Sequence, residues 1–256
     1  LRPFPYPRAE RLVALEHAVP RLEGGGAWGL AVSNYFHYRR SPVVEALGVY
    51  VLGEPVLTGD GPAQQVRMLA SSPSLLPMLG ARAQLGRLYG ESDLGRDVAA
   101  PRLVVLSDAL WRARFGGHRG VVGRTLRLNG RPAQVIGVLA PLAELPTITG
   151  AAIGLWTPFP LDSLAPAVNS HFLQGIARLR PGVTPDEAER ALAPLTRELP
   201  ARFPEAYSPA FLEETGFRLA VTALREEAVG PIARALWLVL GGVGLVLLIA
   251  AANVAN

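Results

Sequence analysis

The apolar run near the end of the chain constrains its fold more than any other feature. The eighteen residues from Ala235 to Ala252 read ALWLVLGGVGLVLLIAAA and carry no charge. A helix of this length spans about 27 Å, which is close to the hydrocarbon thickness of a bilayer. Arg234 and Trp237 stand at its start, where interfacial anchors are common. We predict a transmembrane helix at 235–256 that is truncated at its end, with a fully buried core helix as the alternative.

Both ends of the sequence suggest a longer membrane protein. The sequence begins at Leu1 without a leader, and it stops at Asn256 soon after the apolar run. We therefore expect further chain on both sides. The 256 residues are numerous enough for one large folded domain or two small ones.

Two residue types do not occur, and this excludes several kinds of chemistry. The chain has no cysteine, which rules out disulfides, thiolate metal sites and cysteine nucleophiles. All 25 basic residues are arginine, so a P-loop, which needs a lysine for the phosphates, is excluded as well. The formal net charge of +4 is modest and the arginines are scattered, so the sequence does not predict nucleic-acid binding.

Strand and helix patterns alternate along residues 1–234. Alternating or β-branched runs predict strands at 11–16, 43–57, 64–69, 103–106, 154–157, 172–179 and 217–223. Cap residues predict helices that begin after Ser33, Ser72, Ser107 and Thr184. Pro194 lies inside the last of these helices, and we expect it to kink the helix or to end it early.

The strongest local signal is a β-hairpin at Asn129-Gly130. This dipeptide favours the type I′ turn, which joins two strands through two residues. The register then places Leu126 opposite Ala133 and Leu128 opposite Arg131. One face of such a hairpin is mostly apolar, so we expect it to be half-buried.

The pattern predicts an α+β fold. Strand–helix–strand units occur at both ends of the chain, and a strand-rich insert separates them. We place the insert at 81–165, between a first part at 1–80 and a second part at 166–230. The two ends are then halves of one layer that the insert interrupts.

Residue spacing gives no sign of a catalytic, cofactor or metal site. The four histidines stand far apart in sequence, at His17, His37, His118 and His171. No metal-binding spacing and no G-x-S-x-G nucleophile elbow occur. We therefore predict no catalytic, cofactor-binding or metal-binding residues.

Three stretches nevertheless admit a functional interpretation beside a structural one. Ser107 follows a strand, as a nucleophile can, but a helix N-cap explains it better. Glu91, Asp93 and Asp97 form an acidic group that could bind a cation, and a solvated loop explains them equally well. The aromatic and basic stretch at 35–40 could stack on bases, but an amphipathic helix is favoured.

Several stretches together resemble one protein family. They are LRPFPYP at 1–7, LGR…D from Leu85 to Asp93, VVLSDALWRARFGG at 104–117, VVGRTLRLNG…VIGVL at 121–139, LWTPF at 155–159, ARLRPGVTPDEA at 177–188 and LLIAAANVAN at 247–256. In this order the chain resembles the MacB-like periplasmic core domain of FtsX-like ABC-transporter permeases. The resemblance covers nearly the whole chain.

The resemblance implies an extracytoplasmic domain between the first and second transmembrane helices of a permease. It implies a porter-like subdomain of strand–helix–strand units at 1–80 and 166–230, with an inserted strand-rich subdomain at 81–165. In this family a separate ATPase drives motion that passes through the membrane helices and changes the periplasmic domain. This mode is called mechanotransmission, and it serves efflux or extraction of a substrate. The family has no catalytic residues in this domain to carry over.

The implied partners are an ABC ATPase subunit in trans, a second permease copy in a homodimer, a periplasmic adaptor and membrane lipid, without nucleic acid. The implied location is the inner membrane, with residues 1–234 on the periplasmic side. We expect residues 225–234 to couple the domain to the membrane helix. Two other functions stay open: a membrane-anchored binding or sensor domain without an ATPase, and a periplasmic hydrolase on a membrane anchor.

Overall fold

The computed structural model describes residues 6–59, 61–94, 100–141, 152–161 and 169–226, together with Gly242. In these ranges no helix combines the length and the apolar character that crossing a bilayer requires. The transmembrane helix predicted at 235–256 lies outside the described residues, apart from Gly242.

Thirteen strands and six α-helices make up the described part of the chain. The strands are β1 (Leu12–Ala18), β2 (Ala27–Trp28), β3 (Val44–Gly53), β4 (Val56–Thr58), β5 (Gln64–Gln65), β6 (Met68–Ser71), β7 (Ala83–Gly86), β8 (Arg102–Leu106), β9 (Thr125–Leu128), β10 (Arg131–Leu139), β11 (Leu155–Pro158), β12 (Gln174–Leu179) and β13 (Arg218–Ala223). The helices are α1 (Val32–Tyr38), α2 (Leu75–Met78), α3 (Asp108–Phe115), α4 (Pro185–Arg197), α5 (Leu199–Arg202) and α6 (Pro209–Thr215). This mixture agrees with the predicted α+β class.

All thirteen strands join one sheet. Its order is β13-β1-β12-β3-β6-β11-β8-β10-β9-β4-β5, with β2 added on β1 and β7 on β10. The pairs β6–β11 and β8–β10 are parallel, and the other strand pairs are antiparallel. Strands from the predicted insert therefore pair with strands from the first part of the chain, since β11 lies on β6 and β9 lies on β4. The division at 81–165 stays a prediction.

The two faces of β1 lie in different cores because successive side chains of a strand point to opposite sides. Leu12 and Ala14 belong to a core cluster that includes Leu75 and Leu76 of α2. Val13 and Leu15 belong to a second cluster, whose helical members come from α1 and α4. The sheet is thus covered by short helical segments on one side and by α1 and α4 on the other.

The hairpin prediction is confirmed in its turn and in its register. Asn129 and Gly130 both have positive φ angles, 50° and 78°, as a type I′ turn requires. Leu126 pairs with Ala133, and Leu128 pairs with Arg131. The three apolar members of these pairs are buried, so one face of the hairpin does contribute to a core.

Two of the four helix starts are confirmed with their caps. Ser107 Oγ accepts a hydrogen bond from the backbone N–H of Leu110 at 3.0 Å at the start of α3. Thr184 and Glu187 form a reciprocal capping box at the start of α4. The structure thus satisfies backbone donors that the first turn of each helix leaves free.

The other two predicted caps are wrong. Helix α1 begins at Val32, which is earlier than the cap predicted at Ser33 allows. Its N-cap is Ala31, whose backbone N–H donates to Asn34 Oδ1 at 2.8 Å. The Oγ of Ser72 accepts the backbone N–H of Val49 at 3.1 Å instead of capping a helix. Helix α2 therefore starts only at Leu75.

Pro194 does not end its helix early, since α4 continues to Arg197. The proline side chain is exposed, whereas Leu192 and Thr196 on the same helix are buried. The missing proline N–H frees a carbonyl one turn earlier. On the exposed side of the helix water can bond that carbonyl, and packing on the opposite side holds the helix together.

Candidate functional site

The chain enters and leaves the sheet at adjacent positions. Strands β1 and β13 are antiparallel neighbours, and Val13 at the start of β1 pairs with Ala223 at the end of β13. Residues 224–226 are helical and follow β13 directly. We call residues 6–12 the entry segment and residues 224–226 the exit turn. Antiparallel pairing brings these two segments to the same end of the sheet.

Both segments are anchored in one hydrophobic core cluster. Tyr6 and Leu12 of the entry segment are buried, and so is Leu224 of the exit turn. All three belong to the cluster that packs around α2. Residues that are packed in this way move with the sheet, because protein interiors are close-packed and transmit strain.

Charged side chains also tie the entry segment to the sheet. Arg8 Nη1 lies 3.1 Å from Glu45 Oε1, and Arg11 forms a second ion pair with the same carboxylate of β3. Arg11 Nε in addition donates to the backbone carbonyl of Leu179 at 2.8 Å. Exposed ion pairs contribute little to stability, so the bond from Arg11 to the end of β12 is the more specific contact.

Arg178 is the charged residue at the centre of this region. Its side chain is only 3% exposed, and its Nη2 donates to the carbonyl of Pro7 at 2.7 Å and to the carbonyl of Met78 at 2.6 Å. Burial lowers the pKa of the guanidinium, and the positive charges of Arg8 and Arg11 lower it further. One side chain of β12 thus holds the entry segment and the last residue of α2 at once.

The alternation along β12 is a sequence signal for the burial of Arg178. Along β12, Ile176 and Arg178 share one face of the strand because they are two residues apart. Ile176 is a member of the buried cluster around α2. A charged residue at a core-facing position of a strand requires partners, and here the partners are two backbone carbonyls.

The acidic group considered for cation binding is partly explained by an internal ion pair. Arg87 forms two hydrogen bonds with the carboxylate of Asp93, at 2.6 and 2.8 Å, and the backbone N–H of Gly90 donates to it at 2.9 Å. Asp93 is buried, whereas Glu91 is exposed. Asp97 lies outside the described residues. The LGR…D pattern therefore forms a loop clamp, with both carboxylate oxygens of Asp93 engaged.

The aromatic residues of the stretch at 35–40 lie on α1, and Arg39 and Arg40 follow the helix as exposed residues. Tyr35 and Tyr38 are buried, and the Arg39 guanidinium lies over the rings of Tyr35 and Phe36 at 5.4 and 5.3 Å. The tyrosine rings are thus already packed against the protein. Cation–π contact with Arg39 uses the face that a stacking base would need.

The structure brings together two histidines that spacing kept apart. The rings of His17 and His171 are 5.1 Å apart, and Gly29 O lies 3.4 Å from His17 Nδ1 and 3.0 Å from His171 Nδ1. His17 Nε2 lies 2.8 Å from the Tyr38 hydroxyl, which in turn lies 3.0 Å from Thr196 Oγ1. Burial, together with the nearby His171, lowers the pKa of His17 to about 3. His17 is therefore neutral and joins β1 to α1 and α4.

The remaining two histidines stand apart from this pair. His37 Nε2 lies 3.1 Å from the backbone carbonyl of Leu195, and the carbonyl of His118 accepts the indole N–H of Trp111 at 3.0 Å. Within the described ranges no three His, Asp or Glu side chains gather as a metal site would require.

A cleft of about 470 Å³ lies beside the start of α3. Its lining includes Ser107, Asp108, Arg67 and Trp156. The charged groups are engaged with neighbours, since Arg67 pairs with Glu54 and Asp108 pairs with Arg112. Ser107 Oγ is bonded to a backbone N–H, so the described lining residues offer no paired nucleophile and base.

The sequence also matches a known family model. The model of the MacB-like periplasmic core domain matches residues 10–195. No curated protein matches the chain significantly.

Several solved structures share the fold. A domain of a putative permease protein from Porphyromonas gingivalis is similar with a TM-score of 0.60 and 19% identity, over 87% of this chain and 91% of that one. The periplasmic region of MacB from Actinobacillus actinomycetemcomitans is similar with a TM-score of 0.59 and 16% identity, over 84% of this chain and 90% of that one. The extracellular domain of the noncanonic ABC-type transporter YknZ from Gram-positive bacteria is similar with a TM-score of 0.55 and 12% identity, over 82% of this chain and 99% of that one.

The resemblance found in the sequence motifs, the family model and the fold agree. The family model covers more than half of the chain. The chain therefore belongs to the MacB-like periplasmic core domain family, the extracytoplasmic domain type of FtsX-like ABC-transporter permeases.

Proposed function

We propose that this domain couples the motion of a separate ABC ATPase to efflux or extraction of a substrate. One observation carries the proposal: the entry segment and the exit turn lie side by side, because Val13 pairs with Ala223. Chain that continues from both segments reaches the domain at one place. A displacement of either continuation then acts on the same end of the sheet.

The packing of both segments supports transmission of such a displacement. Tyr6, Leu12 and Leu224 share one core cluster, and the exit turn follows β13 without a loop. Closely packed elements shift as rigid bodies rather than deform. A pull that reaches the exit turn would therefore move the sheet rather than deform it.

The proposed setting follows the family. We place the ATPase in trans, as the family resemblance implies, on a separate subunit that supplies the P-loop lysine. The permease functions in the inner membrane as a homodimer and works with a periplasmic adaptor, and the helix at 235–256 is in contact with lipid. Residues 1–80 and 166–230 form the porter-like part, and 81–165 form the insert.

An insertion in residues 225–234, which we expect to couple the domain to the membrane helix, tests the proposal. A flexible Gly/Ser stretch is placed within residues 227–234 of the complete permease, and transport and ATP hydrolysis are measured in the complex with its ATPase. We expect hydrolysis to continue and transport per ATP to be lost. The matched control carries the same insertion at the exposed Pro181-Gly182 turn, where we expect normal coupling. Unchanged transport with the insertion at 227–234 would refute the proposal.

A binding or sensor domain without an ATPase is the second candidate. The cleft beside α3 is the observation that favours it, because its volume of about 470 Å³ is in the range of small-molecule sites. This candidate predicts that the purified membrane complex contains no ATPase subunit. Co-purification of an ATPase whose hydrolysis depends on the permease would exclude it.

A further inference from the structure

Arg178 is unusual because it is a buried cation whose side-chain hydrogen bonds go to backbone carbonyls and not to a carboxylate. Its Nη2 binds the carbonyls of Pro7 and Met78, and its buried Nε has no hydrogen-bond partner. A buried charge requires compensation, and an apolar side chain of similar size often stabilises a core better. Stability alone therefore does not account for an arginine here.

The two carbonyls belong to parts of the chain that are distant in sequence. Pro7 lies in the entry segment, Met78 is the last residue of α2, and Arg178 itself lies on β12, between β1 and β3 in the sheet. The arginine thus fixes three elements to one another. Two of the motifs that carry the family resemblance, LRPFPYP and ARLRPGVTPDEA, meet in the bond from Arg178 to Pro7.

The backbone around Pro7 is held closely in place. A Cβ atom added to Gly80, just after α2, would lie 2.7 Å from Cγ of Pro7, so only glycine fits there. Arg8 has a positive φ of 52°, which is uncommon for a residue other than glycine. Strained conformations persist where surrounding contacts over-determine them.

A second contact fastens the same segment to the same strand. Arg11 Nε donates to the carbonyl of Leu179, and Arg178 donates to the carbonyl of Pro7. Side chains thus cross in both directions between the entry segment and the end of β12. By contrast, Arg180, two residues further along from Arg178, is exposed.

We infer that Arg178 is a positioning residue for coupling: it locks the entry segment to β12 and α2, so that movement of the preceding chain reaches the sheet. This inference rests on the proposed function. It adds that the entry side transmits motion through one buried guanidinium. An apolar residue at this position would fill the space but leave Pro7 free to slide.

The experiment compares three variants in the complete permease with its ATPase. Arg178→Met keeps the length of the side chain and removes both donors, and Arg178→Lys keeps a cation that can reach one or both carbonyls. Arg180→Met is the matched control. For Arg178→Met we expect transport per ATP to fall to the level of the Gly/Ser insertion at 227–234, with partial recovery in Arg178→Lys and no change in Arg180→Met.

A cross-link separates coupling from folding. The chain contains no cysteine, so cysteines introduced at Pro7 and Met78 are the only thiols of this domain. In the Arg178→Met background a short bifunctional thiol reagent joins the entry segment directly to α2 and so restores one of the two links that Arg178 makes; we expect a partial recovery of transport per ATP. Recovery on cross-linking would show that the tether, rather than the arginine itself, is needed.

The outcomes distinguish this inference from the proposed function. Normal coupling in Arg178→Met together with uncoupling by the Gly/Ser insertion overturns the role of Arg178 and leaves the proposed function in place. Loss of coupling that the cross-link does not restore also overturns it, since a folding defect then explains the loss. If neither the insertion nor Arg178→Met changes transport, both proposals fail.

Discussion

Replacing Asp93 by alanine removes the centre of the loop clamp in the LGR…D motif. The carboxylate loses two hydrogen bonds from Arg87, at 2.6 and 2.8 Å, and one from the Gly90 backbone, at 2.9 Å. The side chain of Asp93 is 5% exposed, but that of Arg87 is 55% exposed. The guanidinium can therefore return to water, and no buried charge is left without a partner.

The expected loss of stability follows from these contacts. A half-exposed ion pair contributes about 1 kcal/mol at most, and a carboxylate that caps a backbone N–H contributes about 1 kcal/mol more. We therefore expect Asp93→Ala to lower the free energy of unfolding by about 2 kcal/mol. For a domain of this size that corresponds to a fall in Tm of about 4–8 °C.

Thermal unfolding followed by circular dichroism measures this difference. The control is Arg112→Gln, which breaks the exposed ion pair with Asp108 on α3. A fully solvated pair of this kind contributes little because solvent screens it, so the Tm should stay close to that of the wild type. Equal effects of the two substitutions would refute the reasoning. A rise in Tm on adding Ca²⁺ to the wild type, absent in Asp93→Ala, would show that the acidic group binds a cation after all.

Two further predictions concern His17 and Ser107. The pKa of His17 is lowered from 6.5 to about 3 in the folded state, so between these pH values only the unfolded state binds the proton. The free energy of unfolding is therefore highest above pH 6.5 as far as His17 is concerned. It falls by about 1.4 kcal/mol per pH unit as the pH drops toward 3. Denaturant titrations from pH 7 to pH 4 should show a shallower pH dependence for His17→Gln than for the wild type, and equal slopes would contradict the neutral buried state. Ser107→Ala removes the cap on Leu110 N–H and should cost about 1 kcal/mol of stability with transport per ATP unchanged; lost transport at unchanged stability would point to a chemical role for the serine.

The features that the sequence predicted correctly depend only on residues that are close to one another in sequence. The Asn129-Gly130 turn and the capping box of Thr184 need only a few residues of chain, and both are present. The predicted caps at Ser33 and Ser72 are wrong because other hydrogen bonds form instead. Near Ser33 the bond is local, since the Asn34 side chain accepts the backbone N–H of Ala31. The Ser72 hydroxyl bonds a strand 23 residues earlier, which no local pattern can indicate.

Local sequence patterns could not predict the candidate site, because pairing between strands that are distant in sequence assembles it. Val13 meets Ala223, and Arg178 reaches Pro7, only once the sheet has placed β1 between β12 and β13. The same pairing brings His17 and His171 together. Alternation along β12 could have indicated that Arg178 faces the core, but not which carbonyls it binds.

The sheet order has a consequence for how the chain acquires its structure. Strand β1 is the first of the described strands to be made, yet of its three neighbours only the short β2 is local in sequence, and β12 and β13 are the last described strands. Contacts between such distant parts of a chain form slowly, because a long loop must close before they are made. Until then most backbone N–H and C=O groups along the edges of β1 stay unpaired, and unpaired strand edges invite aggregation. We therefore expect the sheet around β1 to close only after β12 and β13 have been made.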